Sequence, residues 1–322
     1  MATTIPLIDF KHYGLHVENT ETVSDEDLKQ LGEEFHEVFR TIGFCYIKNH
    51  GIPQELIDKM LKISKEFFDL PVEAKSKFER PLNSDHGWIP TIRDRKDADQ
   101  PGAAEVIKES FNCVPPVDGA WPDSDLPQMK KIFYEFIEVC KKMAFRILDV
   151  LSVGLKLEGR DFLRQCHQDI GNKNQTTVRS VRYPPLPTDG SILPGQTRCG
   201  EHCDYGTVTM LFQDDIGGLE VCNTTGKYIQ ATPVPGAICV NIGELMQRWT
   251  ADKLKATKHR VLIPEAEAGV RNNQGRQLMA FFIHPDDDCV IKCLDGSDKY
   301  QPMTALDYLK WRFSQTDIWL HV

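Results

Sequence analysis

The chain has 322 residues, of which 41% are hydrophobic, and a formal net charge of -9 at pH 7. This length can bury a large core in one unit, and the acidic balance argues against a polyanionic partner such as nucleic acid. No apolar run approaches the roughly 18 residues of a membrane-spanning helix, and the first residues lack a signal-peptide pattern. The ten cysteines are scattered without a Cys-x-x-Cys pair, which is typical of reduced thiols. We expect a cytoplasmic monomer with neither a membrane nor a nucleic-acid partner.

The first half of the chain is predicted to be mainly helical. Helices are predicted at 24–42, 53–68 and 126–156, and short strands at 5–10 and 43–47. Ser24 stands immediately before the first helical run and is a candidate N-cap. Residues 80–125 are rich in Pro, Asp, Gly and Arg, so we predict an irregular covering segment there.

From residue 176 onward the chain changes to short strand-like runs separated by turn residues. Eight strands are predicted at 177–183, 197–203, 207–213, 218–222, 227–231, 237–241, 259–263 and 276–283. Many short strands at close intervals indicate a jelly-roll or barrel. A final helix is predicted near 304–317, so the fold class is expected to be mostly β with flanking helices.

Three residues in this second half form a candidate metal site. His202 and Asp204 are separated by one residue, and His259 follows 55 positions after Asp204. Residues i and i+2 of a strand point the same way, so one extended segment can deliver two ligands to one point. Two imidazoles and one carboxylate are the donor set that holds non-haem Fe(II) and leaves other positions open. A His-x-Asp pair alone is weak evidence for a metal site, because it often occurs by chance.

The surrounding segments carry a family resemblance. The matching runs are Ile5–Phe10, Gly43–Ile52, Gly200–Asp214, Gly217–Val221, Val240–Glu244, Trp249–Asp252 and Lys258–Val261. With these runs the chain resembles the Fe(II)/2-oxoglutarate-dependent dioxygenases of the isopenicillin N synthase-like family, over nearly its whole length. The resemblance implies a double-stranded β-helix (jelly-roll) core and the cofactors Fe(II), 2-oxoglutarate and O2. It also implies a leader and covering region at 1–125, with the long helix, core and C-terminal helix at 126–322, together forming one compact unit.

The resemblance also identifies residues for 2-oxoglutarate. Arg276 opens the last predicted strand, and a guanidinium group matches a carboxylate bidentately. Relatives carry Arg-x-Ser here and use both side chains for the far carboxylate of 2-oxoglutarate. Arg276 matches the arginine, but Leu278 replaces the serine, so one hydroxyl donor is missing. Tyr183 matches a tyrosine that often assists, and Asn241 looks like a structural position that we expect to tie turns together.

The implied activity is oxidation of an unactivated C–H bond of a small metabolite, with release of succinate and CO2. The resemblance puts the substrate between the barrel mouth and the covering region. The candidate substrate contacts are Trp88, Phe111, Asn112, Arg179, Arg182, Thr197 and Phe282. Arg182 stands where many relatives have an aromatic residue, which favours an anionic, carboxylate-bearing substrate.

The sequence leaves several outcomes open. Hydroxylation, desaturation and oxidative ring closure are all compatible with this scaffold. An isopenicillin N synthase-like cyclase that works without 2-oxoglutarate is a second option, which the missing serine keeps open. A non-catalytic small-molecule binding module is a third, although a pure binding role has no use for an open iron site.

Overall fold

The computed structural model describes residues 4–81, 84–90, 108–115, 119–185, 197–262 and 275–315. Parts of the predicted covering segment, residue 263 of a predicted strand and the last two residues of the predicted final helix lie outside these ranges. Within them, no helix is both long enough and apolar enough to cross a bilayer.

Helices form one layer of the molecule. The described helices are α1 (Asp25–Thr41), α2 (Gln54–Phe68), α3 (Val72–Lys75), α4 (Met129–Gly154), α5 (Phe162–Gln165), α6 (Glu244–Trp249) and α7 (Ala305–Ser314). The Ser24 hydroxyl accepts a hydrogen bond from the amide of Asp27 at 3.1 Å, which confirms the predicted N-cap of α1. Helices α1 and α4 cross closely, because a Cβ added at Gly154 would lie only 2.3 Å from the carbonyl oxygen of Gly32.

Strands form the other layers. They are β1 (Leu7–Asp9), β2 (Phe44–Lys48), β3 (Gly87–Ile89), β4 (Glu109–Cys113), β5 (Thr177–Tyr183), β6 (Thr197–His202), β7 (Val208–Gln213), β8 (Leu219–Cys222), β9 (Tyr228–Gln230), β10 (Ala237–Ile242), β11 (His259–Leu262), β12 (Arg276–Ile283), β13 (Val290–Ile291) and β14 (Met303–Thr304). Each of the eight strands predicted after residue 176 is present. The irregular structure predicted for 80–125 is wrong where β3 and β4 occur. Only Phe111 and Cys113 are apolar in β4, too few to mark a strand in a polar stretch.

Two sheets build the core. The larger has the strand order β1-β2-β10-β7-β12-β5-β4-β3, and the smaller has the order β6-β11-β8-β9. Strand β1 pairs with β2 in parallel, whereas the described pairings around it are antiparallel. This is the predicted jelly-roll core. Strands from 1–125 extend both sides of the larger sheet, so that region and 126–322 share one sheet.

Two hydrophobic clusters lie on opposite faces of the larger sheet. One packs that sheet against the helices, with residues such as Phe35, Phe111 and Phe133. The other lies between the two sheets and includes Tyr183, Val261 and Leu278. Because successive residues of a strand point to opposite faces, the side of each strand residue decides whether it can reach the space between the sheets.

Candidate metal centre

The three residues predicted to bind metal converge at one end of the space between the sheets. His202 closes β6, His259 opens β11, and the two are register partners in the smaller sheet. Their Nε2 atoms lie 3.9 and 3.7 Å from Oδ1 of Asp204. One ligand atom from each residue can be chosen so that all lie within 4.8 Å of one another. Asp204 lies just beyond the end of β6 rather than within it, so the turn that follows β6 completes the set.

Contacts behind the three residues fix their orientation. Nδ1 of His202 lies 2.8 Å from the carbonyl oxygen of Gly200, and Nδ1 of His259 lies 3.1 Å from that of Thr257. A carbonyl oxygen only accepts hydrogen bonds, so Nδ1 carries the hydrogen and Nε2 keeps its lone pair toward Asp204. This is the arrangement in which imidazoles bind metals.

Asp204 is held in the same way. Its Oδ2 accepts hydrogen bonds from the Thr209 hydroxyl and from Nδ2 of Asn241, both at 2.7 Å, so Oδ1 faces the two imidazoles. Asn241 was expected to tie turns together, but its main contact is with this carboxylate. The turn is closed instead by the amide of Glu244, which donates to the carbonyl oxygen of Asp204 at 2.8 Å.

Electrostatics favour the metal-binding protonation states of Asp204 and His259. Burial opposes ionisation of Asp204, but the two imidazoles and the bonds from Asn241 and Thr209 outweigh it and lower its pKa. Burial lowers the pKa of His259 and so favours the neutral ring. A carboxylate with two neutral imidazoles is the charge state that binds a divalent ion, and this donor set fits Fe(II).

A buried arginine lies beside the space between the sheets. Arg276 is 0% exposed, and its Nη2 donates to Oε1 of Gln213 at 3.1 Å. Its Nε and Nη1 have no hydrogen-bond partner among the described residues. Its guanidinium carbon lies 5.3 Å from the ring centroid of Tyr183, and Leu278 lies in the cluster between the sheets. An unpartnered buried cation fits a bound carboxylate.

A second polar group lies on the same face of β4, β5 and β12. Nε of Arg179 donates to Oδ1 of Asn112 at 2.8 Å, and its guanidinium carbon lies 5.4 Å from the ring centroid of Phe282. Asn112 and Arg179 are register partners. Three of the predicted substrate contacts are therefore brought together next to the space between the sheets.

Comparisons with known proteins agree with this geometry. The protein-family model described as "non-haem dioxygenase in morphine synthesis N-terminal" matches residues 5–132. The family model described as "2OG-Fe(II) oxygenase superfamily" matches residues 162–285. Proline hydroxylase buaE of Petromyces alliaceus is 32% identical over 298 residues, which are 85% of this chain and 90% of that protein. The chain belongs to the 2OG-Fe(II) oxygenase superfamily.

Solved structures extend the comparison to the whole fold of this oxygenase. A full-length Neurospora crassa protein in complex with alpha-KG superposes with a TM-score of 0.83 at 29% identity, covering 96% of each chain. The complex of the same Neurospora crassa protein with alpha-KG and thymine has a TM-score of 0.83 at 27% identity, covering 97% of this chain and 96% of that one. The chain is therefore a non-haem dioxygenase whose cofactors are iron and 2-oxoglutarate.

Three predicted substrate contacts of the oxygenase lie on the opposite, helix-facing side of the large sheet. Nη1 of Arg182 forms an ion pair with Oδ1 of Asp69 at 2.7 Å. Nε1 of Trp88 donates to Oε2 of Glu109 at 2.9 Å. The ring of Phe111 packs in the helix-facing cluster, 5.0 Å from that of Phe67 and 5.8 Å from that of Phe133. The alternation of side chains along β5 explains the placement of Arg182. Tyr183 and Arg179 point toward the space between the sheets, so Arg182 must point to the opposite face. The side chain of Thr197 lies outside the described residues.

Two buried basic residues beside the space between the sheets were not identified from the sequence. Lys108 is 8% exposed, and its Nζ lies 3.8 Å from Sγ of Cys199 on the smaller sheet. Arg198 is 1% exposed, and its guanidinium carbon lies 5.6 Å from the ring centroid of Tyr183. Spacing along β6 would not have found Arg198, because the pairing register of β6 with β11 shifts twice between Thr197 and His202 and so breaks the alternation of side chains. Lys108 precedes a strand that the sequence did not predict.

Proposed function

We propose that this dioxygenase oxidises an unactivated C–H bond of a small, carboxylate-bearing metabolite and releases succinate and CO2. His202, Asp204 and His259 hold the iron, and Arg276 with Tyr183 holds the far carboxylate of 2-oxoglutarate. One observation carries this assignment. Three donor groups gather within 4.8 Å, and the same space between the sheets contains a fully buried guanidinium with unpartnered nitrogens in the described chain.

The mechanism divides the work between the cofactors and the chain. Bound iron supplies the oxidative chemistry, together with 2-oxoglutarate and O2. The chain holds the donor atoms in place, because Thr209 and Asn241 fix the Asp204 carboxylate from behind. Arg276 and Tyr183 would hold the far carboxylate of the 2-oxo acid. The apolar wall that includes Val261 and Leu278 keeps water away. No side chain is needed as a general base.

The substrate lies against Arg179, Asn112 and Phe282. Arg179 donates through Nε to Asn112 and lies over the Phe282 ring. Lys108, which is buried, adds a second basic group on this side. Two cations favour an anionic substrate group, so the role that the sequence gave to Arg182 passes to Arg179. Thr197 remains a proposed contact.

The test is succinate formation across a panel of small molecules. The relative named proline hydroxylase supports amino acids as the first members, and the thymine complex of the Neurospora crassa protein supports nucleobases as the next. We expect one equivalent of succinate for each equivalent of product, and mass spectrometry then separates hydroxylation from desaturation or ring closure. His202→Ala, Asp204→Ala and His259→Ala, made separately, should each lose bound iron and turnover. Full activity in any of them would overturn the iron assignment.

The alternatives give different outcomes in the same assay. Product formed at the same rate without 2-oxoglutarate would indicate an isopenicillin N synthase-like cyclase. Ligand binding without oxygen uptake in the iron-loaded protein would indicate a binding module. Within the proposal, Arg276→Leu raises the Michaelis constant for 2-oxoglutarate much more than that for the primary substrate.

The wider setting is part of the same proposal. We take the enzyme to be a cytoplasmic monomer in a biosynthetic reaction, with no membrane or nucleic-acid partner. The net charge of -9 and ten free cysteines support this setting. Size-exclusion chromatography with light scattering tests the monomer, and a mass of two chains would contradict it.

A further inference from the structure

Two arginines, not one, are buried without partners beside Tyr183. Arg198 is 1% exposed and Arg276 is 0% exposed. In each, Nε and Nη1 have no hydrogen-bond partner in the described part of the chain. Their guanidinium carbons lie 5.6 and 5.3 Å from the centroid of the Tyr183 ring. They come from different sheets, because Arg198 is on β6 and Arg276 is on β12.

Such a pair is costly unless an anion joins it. Burying an unpaired charge is unfavourable, and two like charges add repulsion. Burial and the nearby Arg276 together lower the pKa of Arg198. Asp214, an acid whose charge acts on both arginines, does not neutralise the pair by hydrogen bonding. Its two carboxylate oxygens accept from the backbone amides of Ile216 at 3.1 Å and Gln277 at 2.5 Å.

The position of the missing hydroxyl agrees with this. Leu278 lies two residues after Arg276 on β12, in the same cluster as Tyr183. Leucine donates no hydrogen bond, so one end of a carboxylate held by Arg276 lacks a donor. Arg198 approaches Tyr183 from the smaller sheet and carries two donors that are free in the described chain.

We propose that Arg198 is a second guanidinium ligand for the distal carboxylate of 2-oxoglutarate and replaces the hydroxyl that Leu278 cannot supply. This inference rests on the proposed function. The distal carboxylate then accepts charge-assisted hydrogen bonds from two guanidinium groups. The site then selects a 2-oxo acid with a second carboxylate over one without it.

The test measures binding rather than turnover. Iron-loaded protein is titrated under anaerobic conditions with 2-oxoglutarate and with 2-oxobutyrate, and binding is read from the metal-to-ligand absorption band. We expect Arg198→Met to weaken 2-oxoglutarate binding about 10- to 100-fold, as for loss of a charged hydrogen bond, and to leave 2-oxobutyrate within about twofold. Arg198→Lys should lose less. The matched control is Arg182→Met, which removes an arginine of the outward face and should bind as the parent does.

A double variant tests the replacement itself. Leu278→Ser added to Arg198→Met should recover part of the lost affinity for 2-oxoglutarate, because the hydroxyl restores one donor. Retained 2-oxobutyrate binding shows that each variant is folded. If Arg198→Met misfolds, two single variants of the parent, Arg198→Lys and Leu278→Ser, still decide. Parental 2-oxoglutarate affinity in Arg198→Lys, together with a tenfold gain of that affinity in Leu278→Ser, would overturn the inference.

The inference and the proposed function fail in different ways. Parental 2-oxoglutarate affinity in Arg198→Met, with a large loss in Arg276→Leu, would overturn the role of Arg198 alone. Unchanged 2-oxoglutarate binding with a raised Michaelis constant for the primary substrate would also overturn it, because Arg198 would then bind that substrate. If Arg276→Leu also binds as the parent does, the proposed 2-oxoglutarate site itself is wrong.

Discussion

The two hydrogen bonds behind Asp204 should set the affinity for iron. Thr209 and Asn241 each donate to Oδ2 at 2.7 Å, and Asp204 is only 7% exposed, so water cannot easily replace either bond. A hydrogen bond to a charged group contributes about 1.5–3 kcal/mol, and each 1.4 kcal/mol is about tenfold in affinity. Thr209→Val removes one donor at nearly constant volume, and Asn241→Leu removes the other. We expect each variant to bind Fe(II) about 10- to 100-fold more weakly, in line with other residues that support metal ligands.

The assay is competition for Fe(II) with a coloured chelator under anaerobic conditions. Thr207→Val is the matched control, because its hydroxyl is equally buried but bonds the carbonyl oxygen of Ile283 and Nε2 of His167. It should lose stability and keep parental iron affinity. Iron binding within twofold of the parent in both Thr209→Val and Asn241→Leu would refute the reasoning. An equal loss in Thr207→Val would assign the effect to packing instead.

Three further predictions follow from other parts of the structure. Arg179→Met should raise the Michaelis constant for the primary substrate at least about tenfold and leave the 2-oxoglutarate affinity unchanged, as steady-state kinetics and anaerobic titration would check. Gly154→Ala should lower the melting temperature by several degrees, because its Cβ would meet the carbonyl oxygen of Gly32; an unchanged transition would contradict the tight crossing. Burial lowers the pKa of His167 to about 4, below an unfolded value of about 6.5, so its neutral form stabilises the fold above pH 6.5 and that stability is lost as the pH falls toward 4. Chemical denaturation should show that the free energy of unfolding of the parent falls more steeply with decreasing pH across this range than that of His167→Gln; equal slopes would contradict the prediction.

The fold was largely predictable where local chemistry is strong. Helix α1 begins where Ser24 caps it, and its end differs from the prediction by one residue. The strands after residue 176 were found because turn residues separate them. Strand β4 was missed because it exists through pairing with β5, and its few residues do not form a pattern of their own. Strand β4 lies between β5 and β3, and such a strand depends on its neighbours more than on its own sequence.

The metal site was predictable because its ligand types and spacing are restrictive, whereas the substrate contacts were predictable only in part. His202, Asp204 and His259 meet as expected. Arg182 was assigned inward, but Tyr183 occupies the inward position next to it. The alternation of side chains along β5 was visible in the sequence, and it would have favoured Arg179 over Arg182 as the inward-pointing arginine. The role of Asn241 was not visible, because the bond to Asp204 joins residues 37 positions apart.

The net charge of the chain and the charge of its site have opposite signs. The formal charge of -9 describes mainly the exterior, where salt screens interactions beyond roughly 10 Å. The cations around the space between the sheets are Lys108, Arg198 and Arg276, which are buried, and Arg179, which is partly exposed. Two acids whose charge acts on the arginines already accept hydrogen bonds, Asp204 from Thr209 and Asn241 and Asp214 from backbone amides. Buried charges are screened far less than exposed ones, so we expect these cations to influence which ligands bind. The proposal is therefore that the acidic surface disfavours polyanions while the cationic interior favours small dicarboxylates.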